Sequence, residues 1–139
     1  MPEEYKKLPK TIQFGEHVMI DGYGGNSELL NNQEVVSFVL SDLPKKLGMK
    51  TLSSPMVVSA PDNGIKDPGG WSGFVIIAES HISVHTFPKR RFISADVYSC
   101  KNNLDTKTII AYFTDTFKLS DVETNFIKRG TRYPAENLI

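Results

Sequence analysis

One cysteine, Cys100, stands in the 139-residue chain, so there is no second thiol for an intramolecular disulfide. The first ten residues, MPEEYKKLPK, lack the apolar core of a signal peptide. Both features point to a reducing, cytoplasmic setting. An excess of one charge is also missing. With 16 basic and 16 acidic residues, no net field draws the protein toward nucleic acid or an anionic membrane. No apolar run approaches the ~18 residues of a membrane helix, and no repeat or low-complexity tract appears. A small molecule is therefore the expected partner. The length fits a single domain, 1–139, large enough to bury most of the surface its unfolded form exposes.

What is present is rich in β-favouring residues. IQFGEHVMID, 12–21, reads as a first strand that breaks at the turn Gly22-Tyr23-Gly24-Gly25. From Asn32 onward, Val35, Val36, Val39, Leu40, Leu43 and Leu47 recur at helical spacing. Asn31 or Asn32 serves as N-cap and Gly48 as the stop, while Pro44 is expected to kink this helix or end it early. TLSSPMVVSA, 51–60, reads as a strand whose Pro55 marks an edge or a bulge, and 61–70 is turn chemistry throughout. Strands are expected at 72–79, 81–87 and 92–100, the last two joined by Pro88-Lys89-Arg90-Arg91. A second helix over 105–117 carries Ile109, Ile110, Phe113 and Phe117 on one stripe, and SDVETNFIKRG forms a last strand before a polar tail. Few strands and two helices predict a two-layer α+β sandwich.

The stretch AESHISVHTF, 78–87, is unusually polar for a strand region. Ile82 and Val84 share one face, His81, Ser83 and His85 the other. In 92–100, Ile93, Ala95 and Val97 alternate with Ser94, Asp96 and Tyr98, and Cys100 continues the polar set. A hairpin placing His85 near Phe92 and His81 near Asp96 brings both polar sets to one side, where they are either solvated or part of a site. Each residue also has a plain structural role: a lone cysteine is usually an inert core residue, and strand histidines usually make half-buried hydrogen bonds. Zinc on His81 and His85 fails on geometry, because four strand residues span about 13 Å against zinc–ligand bonds of ~2 Å; no metal is expected. A serine hydrolase built on Ser80 or Ser83 with His85 and Asp96 lacks the G-x-S-x-G elbow. A Cys100–His85 nucleophile pair would need a lowered thiol pKa.

Taken together, the residues are more specific. E-S-H-I-S-V-H-T-F-P at 79–88, followed by A-D-V-Y-S-C at 95–100, resembles the signature of the prokaryotic S-adenosylmethionine decarboxylases. His85 lies five residues after Ser80, and Cys100 twenty after it. The likeness extends to G-x-H-V at Gly15 to Val18, to Asp21 and Tyr23, to Ser72-Gly73, and to I-K-R-G at Ile127 to Gly130.

That resemblance implies a proenzyme that cuts itself between Glu79 and Ser80 into a β chain, 1–79, and an α chain, 80–139. Ser80 would become a pyruvoyl cofactor that captures the amine of an amino-acid-type substrate as a Schiff base. It implies that Ser72 and His85 support processing, His85 as proton acceptor, and that Cys100 is the proton donor to the substrate carbon after carbon dioxide leaves. A thiol with a pKa near ~8.5 retains its proton for that step. Strand parity sets Ser80 and His85 on opposite faces, so an irregular backbone is expected at Ser80. The family further implies an antiparallel sheet backed by two helices, and a homodimer of cleaved protomers with active sites near the interface.

Three positions depart from the family pattern. Lys89, in HTFPK, stands where the family places a glutamate on the ribose hydroxyls, and a lysine cannot accept from them. Pro55 to Val58 stand where many members carry an adenine-stacking aromatic; Trp71, at the end of a longer loop, is the candidate replacement ring. Asp21 replaces a glutamate. S-adenosylmethionine is the first expected substrate. The alternatives are arginine or ornithine, with Asp21 or another carboxylate holding the distal cation, and an uncleaved, silent partner subunit. Both substrate readings belong to polyamine synthesis.

Overall fold

Alternation of apolar and polar residues builds the sheet at the centre of the protein. A computed structural model describes residues 11–139; the opening segment, on which the signal-peptide expectation rests, lies outside the described residues. The strands are β1 (Thr11–Ile12), β2 (Gly15–Tyr23), β3 (Met56–Ala60), β4 (Gly70–Ile77), β5 (Ser80–Phe87), β6 (Phe92–Ser99), β7 (Asp121–Arg129) and β8 (Tyr133–Pro134). Six of them form one sheet in the order β3-β4-β5-β6-β2-β7, with every pairing antiparallel, while β1 and β8 pair separately. Val18 and Ile20, Val75 and Ile77, Ile82 and Val84, and Ile93 and Val97 all point to one buried face.

Helices cover that face only. α1 (Ser27–Leu30) is capped by Asn26, and α2 (Gln33–Lys46) by Asn32, whose side chain accepts from the Glu34 and Val35 N–H groups. α3 (Thr106–Phe117) is capped by Asp105, which accepts from Thr108 N–H. Val36, Val39, Leu40 and Leu43 of α2 and Ile109, Phe113 and Phe117 of α3 close the core. The result is the expected two-layer α+β sandwich, with three helices among the described residues where two were expected; four residues of α1 are too few to show a period. Among the described residues no helix is long and apolar enough to cross a membrane. Phe113 is fully buried, so Phe113→Ala is expected to cost about 3–5 kcal/mol, read as a lower denaturant midpoint at unchanged m-value.

Three local expectations are corrected. α2 runs two residues beyond Pro44, because a proline in the last turn forfeits one hydrogen bond near an end already closed by Leu47 N–H and Met49 N–H on the Leu43 and Pro44 carbonyls. The strand expected over 51–60 begins only at Met56, although Thr51 bridges Ile77, and β3 is an edge strand as Pro55 suggested. The β5–β6 hairpin pairs His85 with Ser94, Ser83 with Asp96 and His81 with Tyr98, two residues from the expected register. Its loop is a short 3-10 turn, Pro88–Arg90, ended by Arg91 at φ 52°. A shift of two preserves parity, so the polar sets of both strands still share the open face.

Candidate active site

β4 ends at Ile77 and β5 begins at its register partner Ser80, which leaves Ala78 and Glu79 as the entire turn. Ser80 has φ 116°, a conformation that side chains other than glycine rarely adopt, so the backbone is irregular where parity required it. The turn is tied on both sides. Ala78 N–H donates to the Lys50 carbonyl at 2.8 Å, and Cys100 N–H donates to the Glu79 carbonyl at 3.2 Å. β6 stops at Ser99, so Cys100 sits half-buried in the following bend and not on the polar strand face expected for it. Gly15 makes room for that bend. A Cβ there would lie 2.0 Å from the Ser99 carbonyl oxygen and 2.8 Å from Cys100 Cα.

Ser80, Ser99 and Glu16 form one register row across β5, β6 and β2. Ser99 and Glu16 are buried, and both secure the segment after Cys100. Ser99 Oγ accepts from Lys101 N–H at 3.0 Å, and Glu16 Oε1 from Leu104 N–H at 2.8 Å. Glu16 escaped the sequence reading because one glutamate in a strand carries no pattern; only the register places it beside the turn.

On the open face, Ser72, His85, Ser94, Asp21 and Glu123 form another row across five strands. His85 Nδ1 and Ser72 Oγ are 2.9 Å apart. Asp21 lies two strands from His85, about 10 Å by strand spacing. A small hollow of about 160 Å³ beside the Ser72–His85 pair is lined by Met56, Val58 and Phe74. A larger one of about 700 Å³ lies next to Ser94, with Tyr23, Phe87, Phe92, Asp67 and Arg90 on its walls. Phe92 is flanked there by Tyr23 at 5.3 Å and Phe87 at 5.4 Å between centroids. The hydrogen bond from Tyr23 to Glu123 pushes its hydroxyl up to about 12, so it stays protonated at neutral pH.

Two expected binding residues lie elsewhere. Trp71 shares strand parity with buried Gly73 and Val75, and its Nε1–H donates to the Asn31 carbonyl at 3.0 Å on the helix side of the sheet. Lys89 lines a depression of about 870 Å³ with Glu28, Asn32 and Glu34 beside the starts of α1 and α2.

Further along the open face, Asp96 gathers three donors. His17 Nε2 is 2.6 Å and His81 Nε2 3.2 Å from Asp96 Oδ2, and Ser83 Oγ donates to Oδ1. The donor atoms of His17, His81 and Asp96 lie within 4.8 Å of one another, a spacing that invites a metal reading. Arg129 argues against it. Its guanidinium, 2.9 Å from His17 Nδ1, can only donate, so Nδ1 accepts and the proton sits on Nε2, facing Asp96. A metal-binding histidine has the reverse arrangement, its second nitrogen donating outward. The cluster is a hydrogen-bonded network.

Within one chain the structure brings together Glu79, Ser80 and Cys100, and separately Ser72 and His85. Five residues of strand separate Ser80 from His85, about 16 Å.

Comparison with known proteins identifies the family. The family model described as S-adenosylmethionine decarboxylase matches residues 16–130. An S-adenosylmethionine decarboxylase proenzyme of Clostridium botulinum (strain Langeland) is 33% identical over 116 residues, covering 84% of this chain and 94% of that relative. The proenzyme of the same name from Caldicellulosiruptor saccharolyticus is 30% identical over 116 residues, covering 84% and 88%. The crystal structure of the adenosylmethionine decarboxylase from Aquifex aeolicus shares the fold with a TM-score of 0.74 at 23% identity, covering 91% of this chain and 98% of that one. With a family match across most of its length and relatives of this identity and coverage, the chain belongs to the S-adenosylmethionine decarboxylase family.

Proposed function

We propose that the protein is a self-cleaving, pyruvoyl-dependent decarboxylase of S-adenosylmethionine. The observation that carries this reading is the Glu79–Ser80 turn, where a serine in a disfavoured backbone conformation follows a carbonyl already hydrogen-bonded to Cys100 N–H. Attack of Ser80 Oγ on the Glu79 carbonyl carbon places negative charge on the oxygen that this N–H faces. The C–N bond breaks, an ester replaces the amide, and the Ser80 nitrogen becomes a free amine. Loss of the Ser80 α-proton expels the Glu79 carboxylate from the β-carbon. Water then replaces the nitrogen, released as ammonia, and no oxidant is needed. The pyruvoyl group left at residue 80 supplies a carbonyl that captures the substrate amine and accepts the electrons freed with carbon dioxide. Cys100, held beside the turn by the bonds from Lys101 and Leu104, delivers a proton to the substrate carbon.

The separation of Ser80 from His85 supports a homodimer in which the Ser72–His85 pair of one protomer serves the turn of its partner. The open face that would meet the partner exposes Met56, Val58, Phe74 and Ile76. Ser80→Ala and His85→Ala proteins are each expected to be inactive, whereas co-folded mixtures regain activity because one composite site is intact. Mixtures as dead as their parents confine the site to one protomer.

The substrate is tested by denatured intact mass after cyanoborohydride treatment with S-adenosylmethionine, arginine or ornithine. Two chains, 1–79 and 80–139, with the second carrying the S-adenosylmethionine-derived adduct, are expected. An adduct from arginine or ornithine alone replaces the substrate, and a single chain that traps nothing makes the protein a silent subunit.

A further inference from the structure

We infer that Asp96 is a positioning residue that holds the start of β5 once the chain has been cut, acting through His81 and Ser83; the inference rests on the self-cleavage reading above. Before cleavage the turn Ala78-Glu79 joins Ser80 covalently to β4. Cleavage removes that link. Conversion of Ser80 also removes its nitrogen, so residue 80 has no backbone N–H left to offer its register partner Ile77. The reacting residue becomes a free chain end, one residue from the nearest intact strand unit, where strands fray unless they are tied down.

His81 and Ser83 supply the side chains that tie it down. His81, the first residue after the new end, reaches Asp96 Oδ2 through Nε2 at 3.2 Å, and Ser83, two positions on along the same face, donates to Oδ1. Each carboxylate oxygen thus takes one bond from β5. Asp96 is itself braced from the other side. His17 Nε2 lies 2.6 Å from Oδ2, and Arg129 of β7, which packs over the Tyr98 ring at 4.5 Å, holds His17 through Nδ1 at 2.9 Å. The Asp96 side chain is 18% exposed and that of His17 16%, so these charge-assisted bonds are partly sheltered from water, while His81 at 41% is the more open arm. A chain running from β7 through β2 and β6 to β5 therefore ends on the residue next to the cofactor precursor. Such an anchor matters little to the uncut hairpin and much to the cut one.

The test uses the purified full-length protein and reads cleavage by intact mass and turnover by carbon dioxide release. In Asp96→Asn and His81→Ala, cleavage is expected to proceed as in the wild type, while kcat falls about ten- to a hundredfold with little change in KM. His81→Gln, whose amide N–H can also donate to the carboxylate, is expected to recover most of the loss. The His81 variants keep the test open should Asp96→Asn fail to fold, since the side chain they alter lies outside the core. Wild-type kcat in His81→Ala overturns the inference, and so does a loss of cleavage in proportion to turnover, which marks a general structural role. A wild-type chain that never cleaves defeats the self-cleavage reading by itself, before any variant is compared.

Discussion

A Ser80→Ala protein is expected to remain one 139-residue chain and to release no carbon dioxide, a loss of activity to background. Alanine has neither the oxygen that attacks the Glu79 carbonyl nor a β-substituent to eliminate, so both halves of the processing chemistry stop at once. The fold should survive. Residue 80 pairs with Ile77 and Ser99 through backbone groups, and alanine keeps those. The positive φ at this position disfavours alanine about as much as serine, so the strain is inherited and not added. The check is denatured mass beside a circular dichroism melt. A cleaved Ser80→Ala chain would sink the pyruvoyl reading, because no other atom at residue 80 can form the ester.

Cys100→Ala separates the two reactions. The group that faces the Glu79 carbonyl is the backbone N–H of residue 100, which the substitution leaves in place, so self-cleavage is expected to continue. Turnover is expected to fall about 10²- to 10⁴-fold, the usual worth of a positioned general acid. The α chain is also expected to gain mass during slow turnover, as protonation at the wrong carbon converts the cofactor to an amine. Quench-flow of the cleaved variant with mass analysis of residues 80–139 measures both effects. Normal turnover in Cys100→Ala removes the thiol from the proton-donor role.

Much of this was legible in the linear chain because the residues proposed to react sit on or beside consecutive strands. Ser80, His85 and Cys100 come from one hairpin, and the alternation of Ile82, Val84, Ala95 and Val97 with polar neighbours already separated a buried face from an open one. The register error of two left that separation intact, since any even shift returns each side chain to its own face. The irregular backbone at Ser80 could be anticipated for the same reason. Residues whose role depends on distant partners were not legible. Glu16 is tied to Leu104, 88 positions away, and Arg129 meets His17 across 112. His81 stood in view as half of a zinc pair with His85 that strand length excludes; its nearness to Asp96 was expected from the hairpin, and the structure keeps that contact although the register pairs Asp96 with Ser83.

The expected pocket residues mark the boundary most clearly. Trp71 was drawn to the substrate by its ring and Lys89 by its place in the family motif, yet strand parity and the 3-10 turn place them on the helix side, away from His85 of the same chain. Tyr23, Phe87 and Phe92 gather instead beside Ser94. The sequence by itself determined the α+β class and singled out the serine, carbonyl and thiol on which the proposed chemistry rests, all of which are local in the chain or periodic along it. Only the tertiary structure decided the geometry: that Cys100 N–H meets the Glu79 carbonyl, and that Asp96 ties β5 to β2. These depend on the order and register in which strands pair, and pairing is a property of the whole sheet that no single segment encodes.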